Sequence, residues 1–219
     1  MGVGTREADD TVRIIGTLPY SNQWTFERPS NYLYFNYDQQ TLSSQAIHVS
    51  HFDSKYNSNK MNIFSLDYFS KLFDLADPLG DSFFRRFALW GRYKVGFGMQ
   101  SGAVIDDNTS TTLPAEKSSL LVLIGQVQLN FAYNWSEWVQ PYIGFDYKPY
   151  YFRNTSSMSS AESEGSSAMY GPALGVQLPI LFSHRGSLLA EVHKDIVTAS
   201  SNQIFAGQIG GDFGVGLSF

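Results

Sequence analysis

The chain closes on Phe205-Ala206-Gly207-Gln208-Ile209-Gly210-Gly211-Asp212-Phe213-Gly214-Val215-Gly216-Leu217-Ser218-Phe219. Residues two apart share one face of a β-strand. One face therefore carries Phe205, Ile209, Phe213, Val215, Leu217 and Phe219, with Gly207 and Gly211 among them. The other carries Ala206, Gln208, Gly210, Asp212, Gly214, Gly216 and Ser218. The first face is apolar as far as the terminal residue, and the second is small or polar. A strand of this kind suits hydrocarbon on one side and a narrow, partly polar space on the other.

The same alternation recurs upstream. From Phe87 to Met99, Arg92 and Lys94 alternate with Tyr93, Val95 and Phe97. From Leu121 to Tyr133, Gln126, Gln128 and Asn130 alternate with Val127, Leu129 and Phe131. Val139–Tyr151 places Asp146 and Lys148 on one face, and Ala168–Ile180 places Gln177 there. Ser187–Thr198 carries Glu191, His193 and Asp195 at spacing two, opposite Leu188, Ala190 and Val192. Several stretches exceed the ~9–11 residues that cross a tilted bilayer, whereas soluble strands average only ~5–6.

Composition agrees. Charged residues make up 16 % of the 219 residues, well below the usual ~25 %. Aromatic content is also 16 %. Yet mean hydropathy is slightly negative, and no run approaches the ~18 apolar residues of a membrane helix. Strands that alternate between lipid and lumen reconcile these facts. The chain lacks cysteine, which removes disulfide and thiolate chemistry. A net charge of −5 without a Lys/Arg-rich run speaks against nucleic acid as a partner.

Three further features point the same way. Short turns, Asn134–Trp138 and Phe182–Gly186, oppose long polar stretches at 101–117 and 154–167, which read as surface loops. Aromatics gather at strand ends: Tyr133, Trp135 and Trp138, then Tyr147, Tyr150 and Tyr151. The last residue is Phe219. Together these resemble small bacterial outer-membrane β-barrel proteins as a class, over Asn31 to Phe219, without pointing to one family. The resemblance implies an all-β fold, a transmembrane antiparallel up-and-down barrel in the bacterial outer membrane. It implies contact with outer-membrane lipid and lipopolysaccharide. It also implies recognition by the barrel-assembly machinery through the closing strand and Phe219. Residues 1–28 then form a periplasmic segment and 29–219 the barrel domain. Met1 to Asp10 has no apolar leader run, so the expectation is a mature exported chain with an added initiator Met.

Two early segments, Asn31–Tyr37 and Gln45–Phe52, bring the strand count to eight. Thr11–Thr17 leaves ten open. Between them and Phe87, the segment Met61–Asp77 has a different period. Phe64, Tyr68, Leu72 and Leu75 recur at spacings of three and four, which predicts an amphipathic helix over 59–77. Pro78 and Gly80 would stop it. Strand parity puts it on the periplasmic side, where it offers a surface to a protein partner.

The lumen set is Arg92, Lys94, Gln126, Gln128, Asp146, Glu191, His193 and Asp212. Eight strands leave an interior just wide enough for side chains, and buried charges must be paired. The first functional reading is an envelope barrel with a structural, partner-binding or narrow porin-like role. The second resembles lipid A deacylases, with Glu191 orienting His193 and Ser200 or Ser201 as nucleophile. That family places Ser two residues after its His, but here Lys194 and Asp195 follow His193. The third is a soluble barrel or sandwich that binds a small apolar ligand. The sequence calls for no cofactor and no metal: His48 and His51 are poorly spaced for ligation, and His184 lies in a turn.

Overall fold

The computed structural model describes residues 29–43, 46–49, 52–56, 58–75, 86–106, 111–136, 138–157, 162–181, 185–197 and 203–219. The segment 1–28 expected to be periplasmic, the further strand expected at Thr11–Thr17, and Ser200 and Ser201 lie outside them. The strands are β1 Asn31–Thr41, β2 Ala46–Val49, β3 Phe52–Tyr56, β4 Lys60–Asp74, β5 Phe87–Asp106 and β6 Thr111–Tyr133. They continue as β7 Gln140–Ser156, β8 Glu162–Leu181, β9 Gly186–Lys194, β10 Ile196–Val197 and β11 Ile209–Ser218.

Eight strands close a ring of antiparallel pairs, β1-β4-β5-β6-β7-β8-β9-β11 and back to β1. The seam between last and first runs from Tyr32↔Ser218 to Asp38↔Asp212. Closure leaves the ring without an open edge. Neighbours in the ring follow one another along the chain, except that the β2–β3 hairpin lies between β1 and β4 and the short β10, which pairs with β8, between β9 and β11.

The outer wall is an apolar belt. Leu33, Phe35 and Tyr37 on β1, Val95, Phe97 and Met99 on β5, and Phe213, Val215 and Leu217 on β11 all point outward. On β6 the belt runs from Phe131 to Leu121. At ~3.3 Å per residue and ~40° tilt that is roughly 25 Å, the height of a bilayer-facing band. Aromatics mark the rim nearest the two barrel termini. Tyr68 stacks on Tyr93 and on Phe219, with centroids 6.3 and 6.2 Å apart, and Trp135 is 70 % exposed.

The sequence expectation of a helix over 59–77 fails: Lys60–Asp74 is the wall strand β4, and residues 76–77 lie outside the described ones. Met61, Ile63, Ser65, Asp67 and Phe69 face inward, while Phe64, Leu66 and Tyr68 face outward. Phe64, Tyr68 and Leu72 therefore belong to the belt, Leu75 lies just past the strand end, and the partner helix 59–77 does not exist. Apolar residues on both faces satisfy a period of 3.6 as well as one of 2. The inner face is apolar at Met61, Ile63 and Phe69 because β4 borders the apolar layers that fill both ends of the lumen, with Ser65 and Asp67 polar between them. Content rich in Ile, Phe and Tyr rather than Ala or Glu was the strand signal.

Two other boundaries move. The stretches 101–117 and 154–167 are largely strand. β5 and β6 stay paired out to Asp106↔Thr111, through a bulge at Ala103/Val104, and β7 and β8 out to Thr155↔Glu162. Polar Ser, Thr and Asp read as loop, but beyond the belt a strand needs no apolar face. Gln45–Phe52 is not a wall strand either. Its described residues, 46–49 and 52, lie in the β2–β3 hairpin, which takes over the edge of β5 from β4, pairing Phe52–Tyr56 with Gly102–Asp106. β2, β3 and the far halves of β5 to β8 thus form a sheet standing clear of the belt.

Candidate functional site: the filled lumen

Inward side chains sort into three layers. Nearest the termini lie Tyr32, Tyr34, Phe69, Ala88, Trp90, Ala132, Tyr142 and Leu189. Phe69 contacts Trp90 and Tyr142 with ring centroids at 5.3 and 5.6 Å. Lumen glycines make room for these rings. Tyr34 sits opposite Gly216 and Tyr142 opposite Gly175. A Cβ on Gly216 would meet Tyr34 Cδ1 at 2.5 Å, and one on Gly175 would meet the Tyr142 ring. In so narrow a barrel, large inward residues such as these two need a small one across the strand pair.

At the far end a second apolar layer includes Leu42, Met61, Ile63, Leu120, Val122, Tyr150, Phe152, Ile204 and Phe205. Phe205 was expected on the lipid face of the closing strand. Instead it precedes β11, bridges to Leu42 and is fully buried, edge-on to Tyr150 at 5.0 Å. Backbone bonds from Ser43 N to Ile204 O and from Ala206 N to Thr41 O, 2.7 and 2.9 Å, hold it in the mouth. Above it, Tyr56 on β3 donates to Asn154 Oδ1 on β7 at 2.5 Å, across the concave face of the outer sheet. Burial pushes the Tyr56 phenol up to about 12, so this donor keeps its proton.

Between the two apolar layers lies the charge. The eight lumen residues of the sequence analysis are all buried there. Arg92 is the hub. Its Nε donates to Asp67 Oδ2 at 2.5 Å, Nη1 to Glu191 Oε1 at 2.9 Å and Gln128 Oε1 at 3.2 Å, and Nη2 to Asp212 Oδ2 at 2.7 Å. Lys94 Nζ meets the same Asp212 oxygen at 2.6 Å. Glu191 Oε2 also accepts from Gln128 at 2.7 Å and Tyr142 at 2.8 Å. Lys148 bridges Asp195 at 2.8 Å and Asp146 at 3.2 Å, and Gln126 donates to Gln128 at 2.9 Å. A planar guanidinium with five donors suits a site ringed by carboxylates better than a lysine would.

Asp67 and Asp38 were missed by sequence reasoning. Asp67 fell inside the expected helix, and Asp38 at the start of an expected turn. The face Tyr32, Tyr34, Asn36, Asp38, Gln40 continues at period two and was the available signal for Asp38.

The geometry gives the catalytic reading no support. Glu191 lies 3.9 Å from His193 Nδ1 but is already engaged by Arg92, Gln128 and Tyr142. Both side chains point into the filled lumen, away from the lipid face where an acyl chain would lie.

A closed eight-stranded antiparallel barrel with an apolar exterior and a polar, filled interior is the class this geometry defines. Solved structures of similar path are bacterial outer-membrane proteins. Ail of Yersinia pestis, solved with sucrose octasulfate, is 9 % identical, with a TM-score of 0.49, covering 87 % of this chain and 97 % of that one. Neisserial surface protein A is 12 % identical, with a TM-score of 0.45, covering 86 % and 97 %. The outer-membrane protease OmpT of Escherichia coli is 11 % identical, with a TM-score of 0.42, covering 87 % and 94 %. No family model matches the chain, and no curated protein matches it in sequence.

Proposed function

We propose that this protein is an integral barrel of the bacterial outer membrane that acts as an anchored binding or structural element and conducts no solute. The observation that carries this reading is the filled lumen. Arg92, Lys94, Lys148 and their carboxylate partners are at most 3 % exposed, with an aromatic layer on one side and the Phe205 layer on the other. A water-filled porin path needs far more strands. What remains for function is the outer sheet, β2, β3 and the far halves of β5 to β8. Outer-membrane barrels carry short turns on the periplasmic side and longer structure outside. That rule places the sheet on the cell surface and both barrel termini in the periplasm.

The test is reconstitution into planar bilayers, alongside density fractionation of cell envelopes. The expected outcome is a heat-modifiable band in the outer-membrane fraction and no discrete conductance steps. Reproducible single-channel steps from the purified protein would overturn the closed-lumen reading. Recovery in the soluble fraction would overturn the membrane reading.

A further inference from the structure

We propose that the lumen holds one divalent metal cation, of the zinc type, between Asp38, His193 and Asp212. These three lie on adjacent strands at the seam where the barrel closes. Asp38 and Asp212 are directly opposed across β1 and β11. Asp212 is opposed to Glu191 across β11 and β9, and His193 is two residues further along β9. One ligand atom from each lies within 4.8 Å of the others, and among the described residues this is the one such group. All three residues are buried, at 1, 2 and 3 % exposure for Asp38, His193 and Asp212.

Three independent observations point to a cation. First, each of the three residues has an unbonded ligand atom. Asp38 Oδ1, Asp212 Oδ1 and both ring nitrogens of His193 make no hydrogen bond of acceptable geometry. The other carboxylate oxygens are taken: Asp38 Oδ2 accepts from Gln40 at 2.7 Å, and Asp212 Oδ2 from Arg92 and Lys94. Buried polar atoms left without partners are costly. Second, two carboxylates directly opposite on neighbouring strands repel one another unless something positive lies between them. Third, the charged layer is unbalanced. It holds six carboxylates, Asp38, Asp67, Asp146, Glu191, Asp195 and Asp212, against three permanent cations, Arg92, Lys94 and Lys148. A trapped water would satisfy lone pairs but leave that imbalance untouched. A dication removes most of it.

The donor set selects the metal. One imidazole and two carboxylates suit Zn²⁺ or a similar first-row dication, whereas Ca²⁺ and Mg²⁺ favour all-oxygen sites. The imidazole is also flanked as a metal-bound histidine usually is. Nε2 lies 3.2 Å from Asp195 Oδ2, and Nδ1 lies 3.9 Å from Glu191 Oε1. Whichever nitrogen binds, a carboxylate stands near the other to orient the ring. Gly210, opposite His193, leaves the imbalance of space the ring needs, since a Cβ there would collide with Nε2.

A cation reaches such a site as the barrel closes, so the test uses refolding. The full chain, stripped with chelator in urea, is refolded into detergent micelles with or without Zn²⁺ and desalted. Bound metal is then counted by mass spectrometry, with folding checked by heat-modifiable gel mobility. The expected result is about one zinc per folded chain and a higher urea midpoint than the zinc-free protein. Asp38→Asn and His193→Gln should each weaken zinc retention by roughly tenfold or more, the scale of losing a metal-orienting group. If one variant does not fold, the other decides. Folded wild-type protein carrying no zinc above buffer would overturn the proposal. So would zinc retained equally by the variants, which places it elsewhere on the chain. Asp38→Asn that raises the midpoint without changing zinc content would also overturn it, and would assign a shared proton to the carboxylate pair.

Discussion

Two layers fill the same narrow tube by different means. The layer near the termini, around Trp90, Phe69 and Tyr142, fills it with volume: rings in contact, matched by glycines across the strand pairs. The central layer, around Arg92, fills it with charge: one guanidinium held by Asp67, Glu191 and Asp212. Volume is satisfied locally, by each pair of neighbours. Charge is satisfied collectively, because three strands supply the acids that one arginine serves. Removing one member should therefore be felt differently in the two layers.

The largest effect is expected at the hub. Arg92→Met keeps most of the volume but removes the cation that three buried carboxylates share, of which Asp212 keeps Lys94. Breaking a buried ion pair from one side costs ~3–5 kcal/mol, and with three partners the upper end, about 5 kcal/mol, is expected. Urea unfolding in micelles measures it. The deficit should shrink on acidification, because a protonated carboxyl no longer needs the missing cation. A deficit independent of pH would mean that Arg92 acts by packing, and would dissolve the contrast between layers.

Trp90→Ala is the counterpart in the aromatic layer. It opens a cavity, and loss of a large buried aromatic costs ~3–5 kcal/mol; about 3–4 is expected here. This deficit should not change with pH between neutral and mildly acidic buffers. Gly216→Ala probes the same layer in the opposite sense, since the added methyl meets Tyr34. Overpacking costs ~1–3 kcal/mol. The companion change Tyr34→Phe does not relieve it, because the ring collides and not the hydroxyl; Tyr34→Leu, which removes the ring, should relieve part of it, the rest remaining because Leu33 O also lies 2.7 Å from the added carbon. Midpoints of the single and double variants settle the point.

The same contrast explains what could be read from the chain. The charged strands β5, β6, β7, β9 and β11 announce themselves, because Arg92, Gln126, Asp146, Glu191 and Asp212 alternate with lipid-facing apolar residues. β4 does not. Met61, Ile63 and Phe69 on its inner face meet the apolar layers and only Ser65 and Asp67 are polar there, so its period of two is obscured. The expected count of eight wall strands matches the ring, yet by compensation. Gln45–Phe52 was taken as a wall strand and lies in an outer hairpin, while the expected helix supplies the strand that was missing. The outer sheet was hidden for the converse reason: at 101–117 and 154–167 no apolar face is needed, and Ser and Thr read as loop. Individual lumen residues were therefore legible, but their partners were not. That Asp38, His193 and Asp212 converge depends on the register of a seam joining the two ends of the barrel, which no local pattern records.

The smallest effect is expected where charge meets water. Arg153 and Glu162 pair across β7 and β8 in the outer sheet, with side chains 47 and 45 % exposed. Arg153 keeps its partner in hand, its guanidinium held further toward the charged form by the Glu162 hydrogen bond. Yet exposed pairs contribute only ~0–1 kcal/mol, because solvent and salt screen them and two long side chains must be ordered. Arg153→Ala should therefore leave the urea midpoint within error of wild type, and added salt should not separate the two. The same residue type, bonded to the same kind of acid, is then nearly dispensable on the sheet and indispensable at Arg92. The difference is burial: an abandoned Glu162 is hydrated at once, while Asp67, Glu191 and Asp212, at most 3 % exposed, keep only their remaining protein partners.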